Sequence, residues 1–115
     1  MRLGPETLEQ IALFEWLEYQ PYIKDYFFHI PLERKCSIQQ GALLKRMGVR
    51  AGCADIFGAI PTDKYHGLFI ELKVGKNRLT PNQKIFLDNM TAKGYKAVCC
   101  HGFEEARDVI LNYLR

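Results

Sequence analysis

Gly67-Leu68-Phe69-Ile70-Glu71-Leu72-Lys73-Val74 is the stretch on which the fold of this chain turns. Apolar and β-branched residues alternate through it, the pattern of a β-strand. Successive side chains on a strand point to opposite faces. Leu68, Ile70, Leu72 and Val74 therefore share one face, and Phe69, Glu71 and Lys73 the other. An acid and a base on one face of an otherwise apolar strand are costly to bury unless they are paired or put to use. Asp55 lies sixteen residues before Glu71, in Gly52-Cys53-Ala54-Asp55-Ile56-Phe57-Gly58, which reads as the start of a neighbouring strand. The turn-prone Pro61-Thr62-Asp63-Lys64 separates the two, and a hairpin closed there brings Asp55 close to Glu71 and Lys73. Two carboxylates and a lysine converging on one sheet edge make a divalent-metal site with a charged helper.

Downstream, Gly75-Lys76-Asn77-Arg78 is a polar loop with two positive charges. Thr80-Pro81-Asn82-Gln83 then starts a helix, with threonine as cap, proline in the first turn and glutamine three residues after the cap. That helix is predicted to reach Lys93 and stop at Gly94, and Tyr95 to Cys100 is predicted as a strand. A helix between two strands is a crossover, so the Glu71 strand and Tyr95–Cys100 are expected to be parallel neighbours. Phe103 to Leu114 closes the chain as a helix with Ala106, Val109, Ile110 and Tyr113 inward.

Upstream, Pro5 to about Tyr19 reads as an amphipathic helix whose stripe is Leu8, Ile11, Ala12, Glu15 and Trp16. Tyr26 to Ile30, ending at Pro31, suits a first strand, and Leu32 to Cys36 a charged loop. Ser37 caps a helix to Met47 with Ile38, Ala42, Leu43 and Met47 inward and Gly48 at its stop. The order helix, strand, helix, hairpin, helix, strand, helix predicts an α/β fold, a short mixed sheet flanked by helices, in one domain over residues 1–115.

Composition is consistent with such a fold. With 115 residues, 48% of them hydrophobic and 12% aromatic, the chain can bury a real core but not two. The net charge of +3 permits a polyanionic partner without demanding one. Cys36, Cys53, Cys99 and Cys100 lack metal-ligand spacing and read as free thiols buried in a reducing compartment. No signal segment opens the sequence and no apolar run approaches the roughly 20 residues needed to cross a bilayer. A cytoplasmic protein in a bacterial or phage setting, with no membrane contact, is expected.

Asp55 and Glu71 are hard oxygen ligands, suited to Mg²⁺ or Mn²⁺. Magnesium takes one or two carboxylates and completes its shell with water and substrate phosphate oxygens, which a phosphodiester supplies. Lys73 is placed to orient water or to steady charge at phosphorus. The plainer alternative is a structural Glu-Lys pair on an ordinary strand.

These residues resemble the VRR-NUC domain, the virus-type replication-repair branch of the PD-(D/E)XK nucleases. The resemblance rests on Arg50-Ala51-Gly52-Cys53-Ala54-Asp55, on His66 to Lys73, on Leu79-Thr80-Pro81-Asn82-Gln83, on Lys93 to Val98 and on Glu9-Gln10. It departs from the family at Ala54, where proline is usual, and at His29 to Leu32, where a polar Pro-Asn segment is common. It implies a restriction-endonuclease-like core and a metal-dependent DNA endonuclease. Asp55, Glu71 and the Leu72 main-chain carbonyl would be metal ligands, and Lys73 the catalytic lysine. Gln83 would face the site, a role that stands beside its helix-capping one. Glu9 is the preferred outer carboxylate, with Glu15 and Glu18 as rivals on the same helix. His29 and His66 are read as phosphate contacts or as structural histidines.

Arg34, Lys35, Lys45, Arg46, Arg50, Lys76 and Arg78 adjoin the hairpin and would track a phosphate backbone, which positions without reading sequence. Small stand-alone members resemble Holliday-junction resolvases in being two-fold dimers, so branched or four-way-junction DNA and a homodimer are expected. Tyr19, Tyr22, Tyr26 and Phe27 suit either that interface or the core. A non-catalytic nucleic-acid-binding module on the same fold is the competing reading. A subunit delivered by a replication or repair protein is a third.

Overall fold

In the computed structural model, which describes residues 2–31 and 37–115, each predicted element is found in the predicted order. Helix α1 spans Pro5–Glu18, strand β1 Phe27–His29, α2 Ile38–Arg46, β2 Ile56–Gly58, β3 Leu68–Lys73, α3 Pro81–Ala92, β4 Lys96–His101 and α4 Phe103–Tyr113. The strands form one mixed sheet in the order β1-β2-β3-β4. β1 and β2 pair antiparallel, as do β2 and β3, while β3 and β4 are parallel across the α3 crossover.

Register sorts the side chains into two layers. Leu68, Ile70 and Leu72 of β3 are fully buried on one face, together with Ile56 of β2 and Cys100 of β4. Leu13 and Leu17 of α1 and Ala106, Ile110 and Tyr113 of α4 cover them, forming the main core. Each such aliphatic side chain contributes about 1.5–3 kcal/mol by leaving water. On this face Phe27 lies over Gly58, where any Cβ would collide with its ring. The other face is aromatic. Phe69 sits 4.5 Å from Phe57, 5.2 Å from Phe86 of α3 and 5.3 Å from Tyr95, ring centre to ring centre. α3 therefore lies on the face that also carries Glu71 and Lys73.

Two expectations are corrected. The inward face of α1 is Leu13 and Leu17, with Glu9 one turn earlier, while Leu8, Ile11 and Glu15 face solvent. Leu8, Ile11 and Trp16 fit helical spacing as well as Leu13 and Leu17 do, and only contact with α4 selects between the two stripes. α2 buries none of its side chains, and Ile38 (90% exposed), Ala42, Leu43 and Met47 point outward. Of Tyr19, Tyr22, Tyr26 and Phe27, which suited either an interface or the core, only Phe27 enters the core and the three tyrosines are exposed. The charged loop from Leu32 to Cys36, with Arg34 and Lys35, lies outside the described residues.

Candidate functional site

Asp55 stands one residue before β2 and is held from three directions. Its main-chain carbonyl accepts from Ile30 N and from His29 Nδ1, at 2.6 and 2.8 Å. Its carboxylate Oδ2 accepts from Leu72 N of β3 at 2.8 Å. β2 is only three residues long, so its pairing with β3 ends at Ile56 opposite Ile70. Past that point the Asp55 side chain takes the place of the ladder. The N–H and C=O of one strand residue point to the same side, so the Leu72 carbonyl faces the same open edge as the Asp55 carboxylate. The glycine turn that leads there is packed tightly: Gly52 has φ of 81°, and a Cβ on it would collide with the Asn82 carbonyl at the start of α3. Only glycine permits both that dihedral and that approach.

Glu71 is 1% exposed and Lys73 9% exposed. Gln83 Nε2 donates to Glu71 Oε2 at 3.3 Å, and Lys73 Nζ lies 3.9 Å from the same oxygen. Gln83 Oε1 meanwhile accepts from Thr80 N at 2.9 Å, completing the capping box of α3. The two roles weighed for Gln83 are thus performed at once by the two ends of one carboxamide. Glu71 Oε1 is buried and accepts no hydrogen bond from any described donor. Burial pushes the Glu71 carboxyl up to about 8, and a hydrogen bond with Asp55 and the Asp55 charge add to the rise. Lys73 opposes the rise, and the charge of Glu6 on α1 reinforces it.

That environment tests the fit of a metal. A buried carboxylate oxygen without a donor, beside a second carboxylate, requires a positive charge, from a proton or a cation. The candidate donors to a metal are all oxygens: Asp55, Glu71 and the Leu72 carbonyl. No group of three or more His, Cys, Asp or Glu gathers into a metal cluster among the described residues. Two carboxylates fit magnesium or manganese, which retain water and substrate ligands, better than a fully protein-caged ion.

The remaining expected residues make other contacts. Glu9 Oε1 accepts from Phe103 N at the start of α4, 3.1 Å away. The α1 acid whose charge reaches Glu71 is Glu6, four residues after the start of the described chain, which the spacing argument passed over. Glu6 precedes Leu13 by seven residues and so shares its face. Knowing which leucines turn inward would have singled it out. Glu15 is exposed, and Glu18 pairs with Lys24 at 3.3 Å. His66 packs edge-on against Tyr95. Arg50, Lys76 and Arg78 are exposed on the two loops that flank the site. Cys53 and Cys99 are half-buried thiols whose pKa values are raised first by burial and then by the Glu71 charge, so they border the site as neutral groups. Cys100 lies in the core, where burial pushes its thiol up to about 12. All three described cysteines are free.

An acid entering a short strand, a Glu-x-Lys at the end of its hairpin partner and a glutamine from the crossover helix define a nuclease-like α/β protein. The model of the VRR-NUC domain family matches residues 5–104, and the chain belongs to that nuclease-related family. A solved structure of a VRR-NUC domain protein is similar to it with a TM-score of 0.86 and 32% identity, over 99% of this chain and 91% of that one. No curated protein matches it.

Proposed function

We propose that this protein is a Mg²⁺- or Mn²⁺-dependent deoxyribonuclease that hydrolyses phosphodiester bonds in branched DNA as a homodimer. The observation that carries the reading is the buried Asp55–Glu71 pair, with its donorless Glu71 oxygen, next to Lys73. A structural ion pair needs no second carboxylate pressed against the first, and the repulsion between the two costs stability unless a proton or a cation relieves it.

Asp55, Glu71 and the Leu72 carbonyl would hold the ion. When bound, it would polarise the phosphodiester and screen the charge developing on its oxygens. Gln83 donates to Glu71 Oε2 and so helps to fix its carboxylate. Lys73, nearly dry beside Glu71, would orient the attacking water and lend its ammonium to the pentacovalent state. Glu6 adds negative potential that draws a cation in. Arg50, Lys76 and Arg78 steer the phosphate backbone, and the same role is proposed for Arg34 and Lys35.

A homodimer would supply a second site: the described residues of one chain hold one, and cutting two strands of a junction takes two. Among the described residues no helix is long and apolar enough to cross a membrane. The test is purified protein against labelled single-stranded, duplex, flap and four-way-junction DNA with Mg²⁺, Mn²⁺ or EDTA. Cleavage that needs metal and favours the junction is expected. DNA binding without cleavage under either metal would instead identify a binding module. Light scattering with and without junction DNA tests the dimer separately, and a monomer mass in both removes it while leaving the nuclease.

A further inference from the structure

We propose that Glu9 is a positioning residue for Lys73, acting through the turn between β4 and α4, rather than an acid of the metal site. The proposal deepens the nuclease reading and rests on it for the role of Lys73. The turn is built from two consecutive amides. Gly102 N donates to the Lys73 carbonyl at 2.9 Å, and Phe103 N donates to Glu9 Oε1 at 3.1 Å. Gly102 is the N-cap of α4, has φ of 91° and offers no side chain to the first turn of the helix. The first amides of a helix lack partners within it, and a carboxylate is favoured at that end by the helix dipole. Glu9, ninety-four positions away in sequence, supplies the cap that the local sequence cannot.

The contact is close as well as polar. A Cβ at Gly102 would lie 2.9 Å from Glu9 Oε1, so the carboxylate rests directly on the turn. Glu9 reaches it because Leu13 and Leu17, four and eight residues later on the same face, are fully buried in the core that α1 shares with α4. The end of β3 is therefore fixed by a chain of contacts: Lys73 carbonyl, Gly102, Phe103, Glu9, α1.

Glu9→Gln and Glu9→Ala separate the two roles. Glutamine keeps an acceptor for Phe103 N but loses the charge, whereas alanine loses both. Glu9→Ala is expected to slow single-turnover cleavage of junction DNA by about tenfold or more, since small misplacements of a catalytic group have effects of that size. Glu9→Gln is expected to stay within about threefold of the parent, well inside the loss that misplacement causes. The Mn²⁺ concentration giving half-maximal cleavage should be the same for both variants as for the parent. Amide hydrogen exchange gives a readout independent of catalysis: Phe103 should exchange faster in Glu9→Ala and near the parent's rate in Glu9→Gln. A Glu9→Gln protein that is as slow as Glu9→Ala, or that needs more Mn²⁺, would overturn the proposal. So would Phe103 exchange that neither variant alters. If Glu9→Ala does not fold, Glu9→Gln alone still decides. If the parent does not cleave at all, the nuclease reading fails, but the exchange measurement still tests the cap.

Discussion

Two helices of this protein begin with the same device and end up with different work. Ser37 and Gln40 form a capping box at the start of α2, and Thr80 and Gln83 form one at the start of α3. The hydrogen bonds match closely, 3.1 and 3.0 Å in the first and 3.2 and 2.9 Å in the second. Yet α2 buries no side chain, whereas α3 buries Leu87, packs Phe86 on Phe69 and turns the spare nitrogen of Gln83 to Glu71. A helix of nine residues is below the roughly 12–15 at which isolated helices become even marginally stable. α2 therefore leans on its ends, with a side-chain cap at one and Lys45 and Arg46 against the dipole at the other. Capping chemistry decides where a helix starts. What lies across from it decides whether it serves a site.

Removing the group that distinguishes Gln83 from Gln40 should have the largest effect. Glu71→Gln is expected to lower single-turnover cleavage at saturating DNA at least a hundredfold, ~3 kcal/mol of transition-state stabilisation. Lys73→Ala should do the same with little change in DNA affinity. Arg78→Ala should instead weaken binding and reduce the salt slope by about one. Parent-like cleavage by Lys73→Ala at saturation would leave it a structural strand lysine.

The second effect concerns pH. Glu71 has a folded value of about 8 against an ordinary value of 4.5, so between those limits the folded protein holds more protons than the unfolded chain. Metal-free stability from this group is thus fully present below pH 4.5 and declines as pH rises through 8, by an amount on the order of a few kcal/mol at most. Denaturant melts across that range should show the decline, and Glu71→Gln should flatten it. Mn²⁺ should restore more stability at the alkaline end, because ion and proton compete for the same oxygens. A parent whose stability rises over this interval would show that Glu71 is ionised without metal.

Substituting the two glutamines compares the helices directly. Gln83→Ala should cost about 1 kcal/mol of stability, the size of a lost cap, and slow cleavage as Glu71 loses its hold. Gln40→Ala should cost no more than that and leave the cleavage rate alone. Equal loss of rate in both would break the contrast. The smallest effect is expected on the outer side of α2, where Leu43→Gln should change stability by less than about 0.5 kcal/mol, as for other exposed positions. A larger loss, read by denaturant titration, would mean that some surface covers α2 in solution.

Glu71, Lys73 and Asp55 were legible because the anomaly is local: charges recurring with a period of two on an apolar strand, and an acid one short hairpin away. The two helix starts at Ser37 and Thr80 were legible for the same reason, since a capping box spans four consecutive residues. The parallel neighbour of β3 followed from the crossover rule. Glu9 and Glu6 were harder, because four acids on α1 fit its spacing about equally.

The β2–β3 hairpin, the helix starts and the acid–lysine pair are thus written in short-range patterns, whereas the place of β1 beside β2 is set by pairing between distant segments. Which stripe of α1 turns inward, whether α2 packs on anything, and where each α1 acid points depend on surfaces that meet only when the chain is folded. Leu13 and Leu17 win over Leu8 and Ile11 because Ala106 and Ile110 lie opposite them. Gly52 must be glycine because the Asn82 carbonyl, thirty residues on, occupies the space a side chain would need. Glu9 caps α4 because α1 and α4 share a core. Each of these outcomes is a contact between distant segments, and burial and steric exclusion act only on what folding has brought together.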